Sequence, residues 1–191
     1  MAYSNRTSAG TVWLPTGNPD TTNISSADFN GQGGQPGSLG AVFEASVPNR
    51  RYQRVLLDSG ATSATPVGAV AANEIAYWKD KGNYIVTNDS RFAMGGPATA
   101  YRNYVAGVFR SSSLTAGNYI DVLQSGQNIP CKDGGNTFAA GEPVIAESDT
   151  TAAAFDRVGI GTAPTTMQVG IARGAASGGN VNVDIDIPSA Q

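Results

Sequence analysis

The sequence contains no histidine, and its 191 residues include a single cysteine, Cys131. The absence of histidine removes the commonest general base, metal ligand and near-neutral pH switch of proteins. One cysteine cannot form an intrachain disulfide or a cysteine-based metal cluster. Ser-His-Asp and Cys-His mechanisms are therefore impossible within this chain. We expect Cys131 to be a small apolar filler, and we expect no metal ion, no cofactor and no enzymatic activity.

Charge is scarce as well, because charged residues make up only 14% of the chain, against roughly a quarter in an average soluble domain. The net charge of -3 and the lack of a long basic run argue against nucleic-acid binding. No segment is long enough and uniformly apolar enough to span a membrane, and the N-terminus lacks a signal-peptide pattern. We therefore expect no nucleic acid and no membrane as partners, assembly inside a cell, and a surface largely covered by protein partners.

Glycine, in contrast, is abundant, with 24 residues, and it marks a pattern that occurs at least twice between residues 104 and 187. Each copy has an apolar strand with Gly-apolar-x-Arg, a turn of small residues, Gly-Asn, and a second β-prone strand. The copies are 105–110 with 117–122, and 167–173 with 179–183, and a weaker echo is 81–86. Glycine and asparagine tolerate positive φ, so each copy predicts a hairpin. The alternative is a chance recurrence in a glycine-rich chain.

The last predicted strand alternates strictly between apolar and polar residues. Val181, Val183, Ile185 and Ile187 share one face, whereas Asn182, Asp184 and Asp186 share the other, which is typical of a half-buried strand. Further strands are predicted within 41–47, 55–58, 83–87 and 141–146, a short strand and turn within 128–135, and either a helix or a strand within 69–77. These elements predict an all-β fold, a compact β-barrel or sandwich built from repeated hairpins over residues 40–188.

Residues 1–39 have a different composition and predict an extended, Gly/Asn/Thr-rich N-terminal arm. The sustained apolar feature there is Val12-Trp13-Leu14, and Phe29 is a second aromatic residue. Because a lone tryptophan in a polar segment has no core of its own to join, we expect the arm to lie along a partner with Trp13 and Phe29 as anchors. A mobile tail is the alternative.

A basic cluster follows the arm, and it contains Arg50 and Arg51. It could contact an acidic partner surface, or it could be a solvated strand edge. The candidate partner-binding residues are therefore Val12, Trp13, Leu14, Phe29, Arg50 and Arg51.

The segment 56–61, Leu-Leu-Asp-Ser-Gly-Ala, resembles the signature of retroviral-type aspartic proteases. That resemblance implies that Asp58 would be half of a two-carboxylate dyad completed in a homodimer, with residues 158–161 as a second apolar-Gly element. Two close carboxylates share a proton and activate water without a histidine. The alternative is a strand that ends in an Asp-Ser-Gly turn, and we expect Asp58 to be structural.

Two further polar features have a structural and a functional interpretation. Arg110 and Arg173 occupy matching positions in the repeat, and we expect each to pair with a carboxylate such as Asp121 or Asp184. Asp184 and Asp186 lie on the same face of the last predicted strand. They could hold a cation, although calcium requires several convergent oxygens. A polar outer face is the interpretation we prefer for that strand.

The cadence Gly-Val-Ala, Gly-Asn-apolar and Gly-x-Pro-Val over residues 104–187 resembles that of capsid cement, or decoration, proteins of tailed bacteriophages. The segments that show this pattern are 105–108, 117–122, 141–144, 169–172 and 179–185. The resemblance implies a small β-barrel head protein without enzymatic activity. It also implies a homotrimer that bridges major capsid protein subunits on the outer surface of the virion, after assembly in the host cytoplasm. The alternatives are an aspartic protease using Asp58, or another β-rich fibre, tail or adhesin module.

Overall fold

The structure, a computed structural model, shows an all-β protein. It describes residues 4–7, 10–13, 19–25, 39–45, 49–58, 70–89, 105–135, 137–146, 155–157 and 168–187. Within these ranges the regular elements are β-strands and one short 3-10 helix, Pro19–Thr21, without any α-helix. The predicted fold class is therefore confirmed.

In the described part of the chain, thirteen strands form two sheets. They are β1 (Ser4–Thr7), β2 (Gly10–Trp13), β3 (Asn23–Ile24), β4 (Val42–Ala45), β5 (Arg50–Leu57), β6 (Ile75–Asp80), β7 (Ile85–Thr87), β8 (Val105–Val108), β9 (Tyr119–Lys132), β10 (Pro143–Ala146), β11 (Phe155–Arg157), β12 (Gln168–Ala172) and β13 (Asn180–Asp186). β1 and β2 make a separate antiparallel hairpin, and the other strands belong to one continuous sheet.

Part of the large sheet closes into a five-stranded barrel in the order β5-β9-β8-β6-β7. Four of its contacts are antiparallel, whereas β7 closes the barrel by pairing in parallel with β5. β4 extends the barrel beside β5. Closure matters because it satisfies backbone groups that an open edge would leave unpaired.

β9 connects the barrel to the remainder of the sheet because it is long, with 14 residues. Its first half pairs with β5 and β8, and its second half pairs with β13. From β13 the sheet continues through β12 and β10 to β11. One strand therefore belongs to both the barrel and a second antiparallel layer.

The described residues form two hydrophobic cores in this arrangement. The barrel interior is filled from all five of its strands, by Val55, Leu57, Ala76, Trp78, Val86, Ala106, Ile120 and Val122, together with Val70 and Phe109. The second core lies between the barrel and the second layer, and it includes Ile75, Tyr77, Leu123, Val144, Val169 and Ile187. Strand β6 contributes alternate residues to the two cores, as its buried pattern requires.

Both copies of the repeated pattern form antiparallel strand pairs, β8 with β9 and β12 with β13. The repeated glycines explain why the copies look alike. A Cβ on Gly107 would lie 2.7 Å from the carbonyl oxygen of Leu123, and one on Gly170 would contact the carbonyl oxygen of Asp184. In each copy the return strand therefore approaches the glycine too closely for a side chain.

The return strand β13 also follows the prediction. Val181, Val183 and Ile185 are buried, as is Ile187 just beyond the strand, and Asn182 and Asp186 are exposed. The turns that precede both return strands contain glycines with positive φ, 81° at Gly117 and 75° at Gly179. The predicted hairpin geometry is confirmed in these two places.

The structure differs from one sequence-based expectation about β-strands and decides between the two alternatives for another segment. Residues 128–135 do not begin a new strand, because β9 runs through to Lys132. Asn128 has a positive φ of 55° at the place where the register between β9 and β13 shifts. The undecided region 69–77 contains the start of a strand, β6, rather than a helix.

Candidate partner-binding site

Residues 19–25, which we call the strap, lie on the surface of the barrel. Its strand β3 pairs with the start of β9, with Asn23 opposite Ile120 and Ile24 opposite Tyr119. The side-chain amide of Asn23 donates to the Ser113 carbonyl oxygen at 3.0 Å. Its side-chain oxygen accepts from the side chain of Asn118 at 2.9 Å. The strap therefore has a defined position on the barrel.

Asp20 is the second attachment of the strap. Its carboxylate accepts a hydrogen bond from the Tyr52 hydroxyl at 2.7 Å and one from the Arg50 guanidinium at 3.1 Å. Arg110 approaches the same carboxylate, with Nε and an oxygen 3.8 Å apart. Burial, together with the hydrogen bond to Asp20, raises the pKa of Tyr52, so the hydroxyl stays a donor. We call Arg50, Tyr52 and Arg110 the receptor cluster.

The two arginines proposed for partner binding are thus engaged within the chain. Arg50 contacts Asp20. Arg51 donates to the Ile187 carbonyl oxygen at 2.7 Å and lies 3.5 Å from the Asp186 carboxylate. Both side chains remain partly exposed, at 24% and 31%, so a contact with a partner stays a prediction.

The other proposed partner-binding residues belong to the arm. The structure describes the backbone of Val12 and Trp13 within β2, where they pair with Asn5 and Ser4. Their side chains, and Leu14 and Phe29 as a whole, lie outside the described residues. The hairpin of β1 and β2 places β1 close to β4. The anchoring role of these residues stays a prediction.

Asp58 follows β5, as expected, and its described neighbour is a cation. Lys79 Nζ lies 2.8 Å from the Asp58 carboxylate, and the backbone N–H of Asp58 donates to the Val86 carbonyl oxygen at 2.8 Å. A protease dyad would place a second carboxylate beside Asp58. The glycine element at 158–161 and the turn from Ser59 onward lie outside the described residues.

The repeat arginines pair with carboxylates, but only one does so as expected. Arg173 Nε donates to Asp184 at 2.6 Å, and this hydrogen bond lowers the pKa of Asp184. Arg110, in contrast, approaches Asp20 and donates to the Asn73 side chain and to the Pro130 carbonyl oxygen. The expected Asp121 partner is taken by another arginine, because Arg54 lies directly opposite it.

That pair, Arg54 with Asp121, was missed in the sequence. Arg54 Nε and a second guanidinium nitrogen each lie 2.9 Å from an Asp121 oxygen, so the contact is bidentate. The Arg54 and Asp121 side chains are 2% and 0% exposed. Glu74 is another buried carboxylate, and it accepts from Lys132 at 2.7 Å. A signal was available for Asp121, which stands between apolar residues in β9, whereas Arg54 follows polar residues in β5.

An open groove of about 580 Å³ lies where β9, β12 and β13 meet. Its lining is mainly amide, carboxylate and glycine: Asn49, Ser125, Gly126, Gln127, Gln168, Gly170, Ile171, Asp184, Ile185 and Asp186. Ile171 is the one large hydrophobic side chain that is exposed in the described part of the chain. Asp184 and Asp186 each pair with an arginine. A partner in this groove would therefore contact side-chain amides, backbone groups and one apolar side chain.

Where the structure is described, no three His, Cys, Asp or Glu side chains converge to form a metal site. Cys131 is buried, and desolvation raises the pKa of its thiol. None of the described residues belongs to a helix that is long and apolar enough to cross a membrane.

Comparisons with known proteins give no assignment. No protein-family model matches the chain, and no curated protein matches it.

Proposed function

We propose that this chain is a structural virion protein that decorates a tailed-phage capsid and stabilises it by bridging major capsid protein subunits. The observation that carries the proposal is the cadence Gly-Val-Ala, Gly-Asn-apolar and Gly-x-Pro-Val over residues 104–187, which resembles that of small phage head proteins and spans both copies of the repeated hairpin. In both copies the glycine contacts the backbone of the return strand, which supports a shared structural unit rather than a chance recurrence. A rigid β scaffold with an N-terminal arm suits a protein that spans a seam between subunits.

The surface chemistry supports contact with a protein partner. The five arginines whose side chains are described all form ion pairs within the chain: Arg50, Arg51, Arg54, Arg110 and Arg173. Recognition would therefore use amide, backbone and apolar contacts, as in the groove around Ile171. Such a surface favours close packing over long-range electrostatic steering.

Immunogold labelling tests the location of the protein. Particles from lysates of the host are stained negatively and incubated with an antibody against this protein. We expect gold on the outer surface of intact, DNA-filled heads, in several copies per particle. Labelling confined to tails or fibres would contradict decoration and favour a fibre or tail module. Particles without any label would contradict a virion role.

Self-association is the second part of the proposal, and we expect a homotrimer. Closed symmetry gives each subunit the same contacts, and a charge content of 14% suits a shared buried surface. Light scattering combined with size-exclusion chromatography measures the mass directly. A mass three times that of the chain is expected, whereas a monomer at all accessible concentrations would contradict a preformed trimer.

A further inference from the structure

The strap contributes nothing to either hydrophobic core. None of the residues of its 3-10 helix is buried, and the two residues of β3 are exposed or half-buried. All described core residues lie in the barrel strands, the second layer or their connections. Asp20 and Asn23 attach the strap to the barrel through polar side-chain contacts. Removing the strap would therefore leave both cores filled.

The barrel side of the Asp20 contact is built independently of the strap. Tyr52 is 1% exposed and belongs to the second core. Arg110 is held by Asn73 and by the Pro130 carbonyl oxygen. Arg50 lies in β5, opposite Ala45 of β4. Two cations and a hydroxyl donor thus converge on one point, which is the donor set that a carboxylate requires.

We propose that the receptor cluster of Arg50, Tyr52 and Arg110 is a binding site for a carboxylate group, and that Asp20 is its built-in ligand. The strap then docks on the barrel and leaves it as a unit, without unfolding the barrel. Local opening of this kind is expected where an element has few buried apolar contacts. This inference does not depend on the capsid proposal.

Hydrogen exchange in the full-length protein tests whether the strap opens separately. Asp20→Asn keeps the size of the side chain but removes its charge. We expect the amides of Asn23 and Ile24 to exchange at least about tenfold faster in this variant, while amides of β9 and β13 change less than about twofold. Asp186→Asn is the matched control, because Asp186 also contacts an arginine but lies outside the strap. It should leave the strap amides unchanged.

Two outcomes of the exchange experiment would overturn the proposal. Unchanged strap protection in Asp20→Asn would show that other contacts hold the strap. A similar acceleration in the strap and in β9 would show that Asp20 belongs to the cooperative core and is not a separable ligand.

Formate binding tests the carboxylate site itself. Asp20→Ala empties the receptor cluster, so formate should shift the NMR signals of the Tyr52 ring and the Arg50 guanidinium in a saturable way. The wild-type protein, with Asp20 in place, should show no saturable shift at the same formate concentrations, and chloride at equal ionic strength is the control for screening. No saturable shift in Asp20→Ala, an equal shift in the wild type, or an equal effect of chloride would each contradict a carboxylate site.

Discussion

Arg54 and Asp121 form an ion pair in almost complete burial, with side chains 2% and 0% exposed. Such a pair is sustained by its bidentate geometry, because each charge compensates the lost hydration of the other. Their positions directly opposite each other in β5 and β9 tie two neighbouring strands of the barrel together. The consequence is that neither residue can be neutralised alone without cost.

We predict that Asp121→Asn lowers the free energy of unfolding by about 3 kcal/mol, because Arg54 would stay buried beside a neutral amide. Urea denaturation monitored by the fluorescence of Trp78, which is buried, measures the loss. Asp186→Asn is the control, since Asp186 is 87% exposed, and it should change stability by less than about 0.5 kcal/mol. If both substitutions lowered the free energy of unfolding equally, burial of the Arg54–Asp121 pair would not be the cause of the loss of stability.

We predict that Asp58→Asn keeps the function and costs roughly 1 kcal/mol, because it weakens the contact with the partly exposed Lys79. Differential scanning calorimetry measures the stability. A protease assay with an unstructured protein substrate tests the alternative role. Pepstatin-sensitive cleavage by the wild type that disappears in Asp58→Asn would reverse the assignment of Asp58 as structural.

Single residues were the hardest feature to predict from the sequence. The partners of Arg54 and Arg110 depend on which strands become neighbours, and local patterns do not contain that information. Arg173 with Asp184 was predictable, because both belong to one hairpin and lie 11 positions apart. Asp20 gave no signal in the sequence, since its partners come from β5 and from the residues after β8.

At the scale of the element, the repeated hairpin depends on a glycine in its first strand. A side chain on Gly107 or Gly170 would collide with backbone of the return strand, and backbone moves only at a cost in strain. Period-two burial in β13 was predictable, because one face of that strand is covered and the other is not. The continuity of β9 was not predictable. The polar residues around Asn128 look like a turn in the sequence, whereas in the structure they form a bulge inside the strand.

We predict that Gly107→Ala and Gly170→Ala each lower the free energy of unfolding by about 1 to 3 kcal/mol, because the added methyl group overpacks the hairpin. Gly174→Ala is the matched control: a Cβ there would meet no atom within 4 Å, and its backbone does not have a positive φ. Chemical denaturation compares the three variants. If Gly174→Ala lowers the free energy of unfolding as much as the other two substitutions, the close approach of the return strand is not the reason why both copies contain this glycine.

The β12–β13 hairpin should also respond to acid through Asp184. The hydrogen bond from Arg173 lowers the pKa of this carboxyl, so its contribution to stability is present above the ordinary aspartate range and is lost as the pH falls through the lowered value. Carbon-13 NMR should show Asp184 titrating at higher pH in Arg173→Gln than in the wild type. Asp80, whose pKa is lowered by hydrogen bonds from Asn83, is the internal control. An unchanged Asp184 midpoint would contradict the role of Arg173.

At the scale of the whole molecule, the barrel and the second layer share one strand and pack through a common core. An all-β barrel or sandwich followed from strand spacing and glycine turns. The parallel contact of β7 with β5, which closes the barrel, did not follow from the sequence, because it joins strands that are separated by β6 and a long connection. The division into an arm of residues 1–39 and a barrel of 40–188 stays a prediction, although the strap of residues 19–25 lies against the barrel.

The arm is tested by a deletion that spares the strap. Removing residues 1–18 leaves Asp20 and Asn23 in place, so the receptor cluster keeps its ligand. We predict that the shortened protein folds and self-associates but binds shells much more weakly, and that Trp13→Ala weakens binding by about 2 kcal/mol per arm if Trp13 is a hot spot. Several arms in one oligomer would engage together, which multiplies modest contacts. Binding of the shortened protein as tight as that of the full chain would assign the contact to the barrel.

The central test is the addition of the purified full-length protein to phage heads that lack it. Co-sedimentation measures binding, and the temperature at which the heads release their DNA measures stability. Because a decoration protein binds the assembled shell and not free subunits, binding should raise that temperature by mass action. Saturable co-sedimentation with a higher release temperature is the predicted result. Heads that neither bind the protein nor gain heat resistance would contradict a role in capsid decoration.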